Sequence, residues 1–401
     1  EQRMGLEIRQ VESTEVEQFI MAQRRAFSNP IGKDELKTHD PMQELERSLA
    51  AFEGSKIVGG CHSRSFEMNV PGGRIPVCGV VDVSVQPTHR RRGILTSMKS
   101  RLLENAHNRG EAIAALYASE SIIYGRFGYG IGSLHEYWSV DRAYTDFVFD
   151  EAKTGSYQFL SPVEIVEICP EIYRKAMLCR PGAIQPPLRR WEKITEDPES
   201  ERGGASQSLV VGYKNDNQIE GYAHYRTKNG VLIVIELIAV SSNAEAALWR
   251  FCFGVDLMAS IEVLARPVDD PLPWMMSDPR RMNRVTRDGL WIRIVDVKQA
   301  LSSRRYSFSD KLIIEVEDLF CSWNSAKYEL EGGVEGASCR ITNKRPEIKL
   351  SSSDLAAVYL GTVSFKTLVD SGRAVEFIDG SVAKADTMFR YEYKPWCPFS
   401  F

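Results

Sequence analysis

The sequence predicts an α/β protein with mixed (α+β) sheets, organised as two tandem units of similar order followed by a third, α+β unit. Three observations predict this class. A strand-like segment, a basic glycine-containing loop and a helical segment follow one another over residues 81–110. A similar order of hairpin, strand and helix returns over residues 209–253, and short strands alternate with short helices towards the end of the chain. At 401 residues the chain has room for two or three domains.

The first unit is predicted element by element. Residues 5–9 are typical of a strand, Thr14 and Glu17 have the spacing of a capping box at a helix start, and residues 50–61 indicate a hairpin. After the basic loop, one helix face carries four apolar side chains, namely Leu95, Met98, Leu102 and Ala106. That helix is expected to stop near Gly110, and a buried strand should follow it.

The later units follow the same periodicity arguments. In the second unit, strands are predicted at 209–213, 219–225 and 231–240, and a helix at 244–253. In the third unit, strands are predicted at 312–318 and 328–330, and helices at 353–360, 364–370 and 382–389.

The stretch over residues 81–95 has the features of a loop that holds a phosphate. Pro87 ends the strand pairing, and Gly93 lets the backbone approach a ligand closely. The first N–H groups of the helix after Gly93 are free to bind an anion. Positive charge is added by Arg90, Arg91 and Arg92. The alternative is a basic surface turn at a helix start.

Two motifs carry a resemblance to a known family. The order V-x-V-x-P followed by R-x-x-G resembles motif A of the GCN5-related N-acetyltransferases (GNAT), which wraps the pyrophosphate of acetyl-CoA. THRRRG at 88–93, followed by IYGRFGYG at 123–130, is similar to the enhanced intracellular survival (Eis) acetyltransferases within that superfamily. The similarity continues through residues 287–293 and 358–361 to Phe401.

The resemblance implies a domain plan. Residues 1–150 would form a GNAT catalytic domain that binds acetyl-CoA, residues 151–285 a degenerate GNAT-like domain, and residues 286–401 a sterol-carrier-protein-like domain that supplies the C-terminal carboxylate. Residues 150–157 are predicted to link the first two domains. Residues 239–243 lack an Arg-rich glycine loop, so the second unit is expected to have lost its cofactor loop. An unrelated α/β unit is the alternative.

Acetyl transfer to an amine needs a base for the attacking amine and an acid for the departing thiolate. Tyr124 is predicted as the acid, because it follows the buried strand near the segment that abuts the cofactor thiol in this superfamily. A core tyrosine is the alternative. The resemblance assigns the base to the α-carboxylate of Phe401, against the alternative of a disordered tail. The fallback bases are Asp82, Glu120 and Asp288.

The resemblance also implies two sets of binding residues. Acetyl-CoA, as co-substrate, is expected to contact Val83, Val85, Arg90, Arg91, Arg92, Gly93, Ile94, Ser119 and Ile123. The acceptor amine is expected to contact Phe27, Asp82, Trp191, Asp288, Trp291 and Tyr306. Aromatic faces and acids suit a polycation, and family members acetylate aminoglycosides and other polyamines. The sequence departs from the family pattern near the acceptor at Asn29, Asp82 and Ser400, so aminoglycosides remain a hypothesis.

Composition bounds the other possibilities. A net charge of −4 makes nucleic acid an unexpected partner, and no apolar run approaches the ~18 residues of a membrane span. Eight scattered cysteines, six dispersed histidines and no secretion-signal core favour reduced thiols in the cytoplasm without a metal site. A homo-oligomer, a hexamer, is expected only from the family. A protein lysine acetyltransferase and a non-enzymatic lipid-binding scaffold are the alternative functions.

Overall fold

A computed structural model describes residues 5–29, 44–149 and 155–401 of the chain. The described residues divide into two compact units. The first unit holds those up to Gly132 together with Leu290–Tyr391 and Phe401, and the second holds Ser133–Gly289 and Glu392–Ser400.

The regular elements are numbered here in chain order. The strands are β1 (Leu6–Gln10), β2 (Ser48–Glu53), β3 (Lys56–Val70), β4 (Gly73–Val85), β5 (Ile113–Tyr117), β6 (Tyr129–Ile131), β7 (Leu134–Asp141), β8 (Ser156–Phe159), β9 (Leu209–Asn215), β10 (Gln218–Lys228), β11 (Val231–Ala239), β12 (Ser260–Pro267), β13 (Asn283–Asp288), β14 (Leu290–Ile294), β15 (Asp310–Glu317), β16 (Ala326–Gly332), β17 (Ala337–Ile341), β18 (Ile348–Ser351) and β19 (Ala374–Glu376). The helices are α1 (Val16–Ala26), α2 (Ile94–Asn108), α3 (Ser121–Tyr124), α4 (Pro162–Ala176), α5 (Leu188–Glu196), α6 (Ser242–Gly254), α7 (Leu272–Met275), α8 (Val297–Ser302), α9 (Ser352–Tyr359), α10 (Phe365–Asp370) and α11 (Ser381–Phe389).

The first unit contains a mixed sheet with the order β1-β2-β3-β4-β5-β14-β6. Its one parallel ladder among the described residues joins β4 to β5, and α2 makes the crossover between them. The side of the sheet that packs on α2 is apolar, because alternate strand residues bury against Met98 and Leu102. The opposite side receives Phe19 of α1. The predicted strand, hairpin and helix order of this unit is confirmed.

The start of α1 differs from the prediction. The carboxylate of Glu15 accepts the backbone N–H of Glu12 at 3.0 Å and also binds the Arg9 guanidinium at 2.6 Å. The capping box prediction at Thr14 and Glu17 is therefore wrong by two residues, because Arg9 draws the Glu15 carboxylate to this turn. The same guanidinium lowers the pKa of Glu15 to about 2.

The second unit contains a mixed sheet with the order β13-β7-β12-β11-β10-β9-β8. Here α6 makes the crossover between the parallel strands β11 and β12, so the topology around the centre of the first sheet is repeated. The strand β7 belongs to this sheet and β14 to the first one, although the domain boundaries predicted from the sequence place β7 with the first unit. The predicted linker at 150–157 lies largely outside the described residues, and β8 already begins at Ser156.

The third sheet, in the first unit, has the order β17-β16-β15-β18-β19 and packs with the helices α9, α10 and α11. The predicted strands and helices of this region are confirmed. A buried ion pair between Arg293 of β14 and Asp318, with a nitrogen to oxygen distance of 2.6 Å, joins it to β14, the strand next to the edge of the first sheet.

Candidate active site

The loop between β4 and α2 presents backbone donors. A short 3₁₀ turn at Pro87–His89 follows the strand, and Arg91 and Gly93 both take left-handed φ angles, 63° and 79°. Gly93 caps α2 without a side-chain hydrogen bond, so the first N–H groups of the helix are open to a ligand. A Cβ at Gly93 would meet no atom within 4 Å, so glycine is needed here for its backbone conformation.

The three arginines of this loop do different things. Arg92 donates to the Glu53 carboxylate at 2.8 Å, and Arg90 donates to the Val85 carbonyl at 3.4 Å. Arg91 is exposed and forms no hydrogen bond or ion pair with another residue that the structure describes. Arg91 is therefore the loop arginine best placed for a phosphate. The predicted phosphate contact of Arg92 is disfavoured, because this side chain closes the turn against Glu53.

Glu53 also binds His89, whose Nε2 lies 3.1 Å from the carboxylate. The side chain of His89 is only 19% exposed, so this histidine is held against the turn and does not face solvent. The hydrogen bond from Arg92 and then the one from His89 lower the pKa of Glu53. The carboxylate thus ties both basic side chains to the β2–β3 turn.

The central strands β4 and β5 of the first sheet separate after the ladder residues Gly79 and Ala115. The parallel ladder joins Val77–Gly79 to Ile113–Ala115, and both strands then continue, β4 to Val85 and β5 to Tyr117. A bulge in β4 sets Asp82 at a φ of 52° and leaves its side chain exposed. Val83 and Val85 pack partly against the α2 core. Strand edges that separate in this way leave backbone groups for an extended ligand.

Tyr124 ends the short helix α3 beside this opening. Its side chain is 7% exposed and contacts the ring of Tyr129 edge to face, with centroids 5.9 Å apart. Burial raises the pKa of Tyr124, and a hydrogen bond with Ser119 acts in the opposite direction. The phenol is therefore protonated at neutral pH. Ser119 is exposed and Ile123 is partly buried, as a ligand-lining position requires.

Tyr129 has a different environment. Its hydroxyl accepts a hydrogen bond from the ammonium group of Lys99 at 2.8 Å, and both side chains are fully buried. Burial lowers the pKa of Lys99 to about 8. Tyr129 is therefore a packing residue of the buried cluster around α2.

Phe401 lies where β4 and β5 separate. Its ring packs against Phe66 of β3 and Tyr117 of β5, with centroid distances of 4.8 and 5.4 Å. A Cβ added to Gly79, the last ladder residue of β4, would lie 3.2 Å from the Phe401 ring and 2.3 Å from the Phe66 ring. The close packing of Phe66 and Phe401 therefore depends on the absence of a side chain at this position.

The residues predicted for the acceptor do not all present a free surface. Phe27, at the end of α1, is 51% exposed, and Asp288 is exposed at the end of β13 in the second unit. Trp191 is 1% exposed and packs between two tyrosine rings of that unit. Tyr306 is 2% exposed and donates its hydroxyl hydrogen to the Leu301 carbonyl at 2.8 Å. Acceptor contacts by these two rings are disfavoured because both are needed inside their own domains.

Trp291 of β14 is also mostly buried, in the α2 core of the first unit. The sequence interpretation missed the side chains that share a sheet face with the ring of Phe401: His62, Arg64, Phe66 and Tyr117. A signal was present, because His62 and Arg64 are polar residues on the face of β3 that also carries Phe66 and Met68.

Comparison with known proteins defines the class. Residues 7–132 and 182–294 each match the acetyltransferase (GNAT) domain family, and residues 297–398 match the sterol carrier protein domain family. The fold and these matches define a tandem GNAT N-acetyltransferase with a sterol-carrier-like domain, an acyltransferase. Acetyltransferases of the GNAT class use acetyl-CoA as co-substrate.

The relatives are more specific. A Streptomyces avermitilis protein named as an uncharacterized N-acetyltransferase is 37% identical over 394 residues, 94% of this chain and 95% of the relative. N-acetyltransferase Eis of Mycobacterium tuberculosis is 34% identical over 336 residues, 80% of each chain. The crystal structure of Eis1 from Mycobacterium abscessus matches with a TM-score of 0.85 at 30% identity, covering 99% of this chain and 100% of that one. The chain belongs to the Eis family of N-acetyltransferases.

Within the described residues, no group of three or more His, Cys, Asp or Glu side chains could hold a metal ion. No helix in the same part of the chain is both long and apolar enough to cross a membrane.

Proposed function

We propose that this enzyme transfers the acetyl group of acetyl-CoA to an amine of a small acceptor, by direct attack of the amine on the thioester. The observation that carries the proposal is the junction of three features at the centre of the first sheet. These features are the separating strands, the open N-terminus of α2, and the buried phenol of Tyr124. The second unit is not expected to bind the co-substrate.

The loop and strands fit the two ends of acetyl-CoA. The N–H groups after Gly93 and the side chain of Arg91 suit a pyrophosphate, because they combine backbone donors with a mobile positive charge. The separated edges beyond Gly79 suit the amides of the pantetheine arm, with Val83 and Val85 on one side and Ser119 and Ile123 on the other. Bound acetyl-CoA supplies a thioester carbonyl carbon that is open to nucleophilic attack.

Tyr124 and Phe401 each carry out one of the two proton transfers of the reaction. As the amine nitrogen bonds to the carbonyl carbon and the carbon–sulfur bond breaks, the phenol of Tyr124 donates its proton to the sulfur. The α-carboxylate of Phe401 accepts the proton that the amine loses. A carboxylate with a reference pKa of roughly 3.3–3.7 is ionised at neutral pH, so it is ready for this role. The packing of the Phe401 ring at the opening supports the assignment.

The acceptor class follows the family only in part. A polyamine or an aminoglycoside-like acceptor is supported by the resemblance, and the exposed ring of Phe27 in the first unit suits an amine. The burial of Trp191 and Tyr306 removes two of the aromatic faces on which a polycation would depend. We therefore propose a small-molecule amine as the acceptor.

Mass spectrometry of amines incubated with acetyl-CoA and the enzyme tests this function. The panel contains aminoglycosides, spermidine and a lysine peptide. An acetyl gain on a small amine is expected, with loss of at least 100-fold in rate when two glycines are added after Phe401, because the carboxylate at this position becomes an amide. Ser400→Ala is the matched control, since it alters an exposed neighbour and keeps the carboxylate. Gain on the lysine peptide alone, or full activity of the extended chain, would refute the proposal.

A further inference from the structure

We propose that Arg64 and His62 form an anion-binding subsite for the acceptor, so that the preferred acceptor carries a carboxylate or a phosphate in addition to its amine. This inference rests on the proposed function and narrows its acceptor class. It uses side chains of β3 that the resemblance does not assign.

The subsite lies on the same sheet face as the ring of Phe401. His62, Arg64 and Phe66 alternate along β3 and therefore share one face. Arg64 is the direct cross-strand partner of Gly79. Directly opposed residues point to the same face with their Cβ positions about 5 Å apart, and the Cβ position of Gly79 is 3.2 Å from the Phe401 ring. Arg64 thus projects from the sheet next to the proposed point of acetyl transfer.

Among the described residues, none provides a counter-charge for Arg64. Its side chain forms no hydrogen bond or ion pair with any other described residue, and its Nε is a buried donor without an acceptor. A guanidinium is always ionised and presents a rigid fork of donors that matches a carboxylate or a phosphate. A buried donor without an acceptor is unfavourable, and a bound anion would relieve this.

His62 adds a second open position to the subsite. It is 2% exposed, its Nδ1 lies 2.8 Å from the Ser48 hydroxyl, and its Nε2 is buried without a partner among the described residues. Burial, and then the charges of Arg64 and Arg47, lower the pKa of His62 to about 4. The imidazole is neutral at pH 7, so Arg64 supplies the charge and His62 a neutral polar contact.

The positive charge of Arg64 also disfavours binding of a polycationic acceptor. Arg47, the other guanidinium near His62, is already paired with Glu111 at 2.5 Å. An acceptor with several ammonium groups would bring further positive charge to Arg64. An acceptor that joins its amine to an anion offsets that charge and places the amine beside the proposed base.

Matched acceptor pairs test the subsite. The pairs are phenylalanine against phenethylamine and phosphoethanolamine against ethanolamine, the first pair for a carboxylate and the second for a phosphate. We expect the anionic member of at least one pair to have a kcat/KM about 10-fold or more above its partner, as a charge-assisted hydrogen bond implies. In Arg64→Met this preference should disappear through KM, while kcat/KM for the neutral-tail amine changes less than about 3-fold. Arg64→Lys should keep part of the preference.

Arg101→Met is the control, because it removes one exposed arginine from α2, which packs on the other side of the sheet. It should keep the wild-type preference. Calorimetric titration with 3-phenylpropanoate gives a readout without turnover, and binding to wild type that is lost in Arg64→Met would support the subsite.

Three results would overturn the inference. They are equal turnover within both pairs, an equal loss for both members in Arg64→Met, and absence of 3-phenylpropanoate binding to wild type. The second would assign Arg64 to holding the Phe401 carboxylate. If wild type acetylates no amine while 3-phenylpropanoate still binds through Arg64, the proposed amine acceptor fails and the anion subsite stands.

Discussion

The two GNAT units share a central strand, crossover helix and parallel strand, yet they differ where the helix begins. In the first unit, eight residues separate β4 from α2, and Gly93 caps the helix without a side chain. In the second unit, α6 follows β11 after Val240 and Ser241. The Ser241 hydroxyl accepts the Ala244 N–H at 3.2 Å and donates to Glu220 at 2.8 Å. A helix that caps itself has fewer free donors for a phosphate.

The two units also differ where their parallel strands separate. In the second unit a buried arginine of β12 occupies this position. Arg266 donates to the Leu237 carbonyl of β11 at 2.5 Å, to Asp270 at 2.7 Å and to Glu245 at 2.8 Å. The same topology therefore holds an internal ion-pair network in one copy and a proposed co-substrate site in the other.

The largest effect is expected on kcat, when a tyrosine of the first unit and a tyrosine of the second unit are each replaced by phenylalanine. Tyr124→Phe should lower kcat by about 100- to 10,000-fold, because it removes the proposed acid without changing the packing of the ring. Tyr225→Phe removes a buried hydroxyl from the second unit and should leave kcat unchanged. Steady-state kinetics of both variants measures the change in kcat, and melting curves verify that both variants fold. Equal rates for Tyr124→Phe and wild type would place the acid elsewhere.

Removal of the arginine in the second unit should act on stability instead. Arg266→Met leaves the buried Asp270 and the partly buried Glu245 without their cation, at a loss of about 3–5 kcal/mol in the free energy of unfolding. Burial already raises the pKa of Glu245 beside this arginine. Urea unfolding measures the loss, and the KM for acetyl-CoA of the folded fraction should not change. A raised KM would mean that the second unit contributes to the co-substrate site.

Both units should contribute to the loss of folding stability at acidic pH. His62 in the first and His224 in the second are both buried, and burial lowers the pKa of each to about 4. Below pH 6.5 these two histidines bind protons in the unfolded chain but stay neutral in the folded protein. The free energy of unfolding therefore falls as the pH drops from 6.5 towards 4, by up to about 1.4 kcal/mol per pH unit for each histidine.

Substitution of one histidine at a time separates these contributions. His224→Gln and His62→Gln should each flatten the dependence of the free energy of unfolding on pH between 4 and 6.5, while the slope above pH 7 stays the same. Urea titrations at several pH values measure the slopes. Wild-type slopes in both variants would show that carboxylates alone cause the acid sensitivity.

The smallest effect concerns the loop glycine. Gly93→Ala forces a residue with a Cβ into the left-handed region and should cost about 1–2 kcal/mol in the loop conformation, which raises the KM for acetyl-CoA roughly 5- to 30-fold. Gly125→Ala is the control, because Gly125 has a φ of −55° and open space around its Cβ position. Equal KM values for the two variants would contradict the proposed role of the loop.

Much of the fold could be predicted from local pattern. The alternation along β15 and the apolar face of α2 predict their elements because each pattern matches one backbone period. The order of strands in the sheets could not be predicted in this way. β14 enters the first sheet between β5 and β6, and β7 enters the second, through pairings between residues more than 100 positions apart.

For the site, the sequence by itself determined which residue types are available: the glycine that can take a left-handed φ, the basic loop, the tyrosine after β5 and the aromatic at position 401. Only the tertiary structure decided which of them are open to a ligand. It tied Arg92 to Glu53 and buried Trp191 and Tyr306, and within the described part of the chain it left Arg64 without a counter-charge on the face that Phe401 shares. The physical reason is that burial and charge pairing depend on contacts distant in sequence, whereas backbone preference is local.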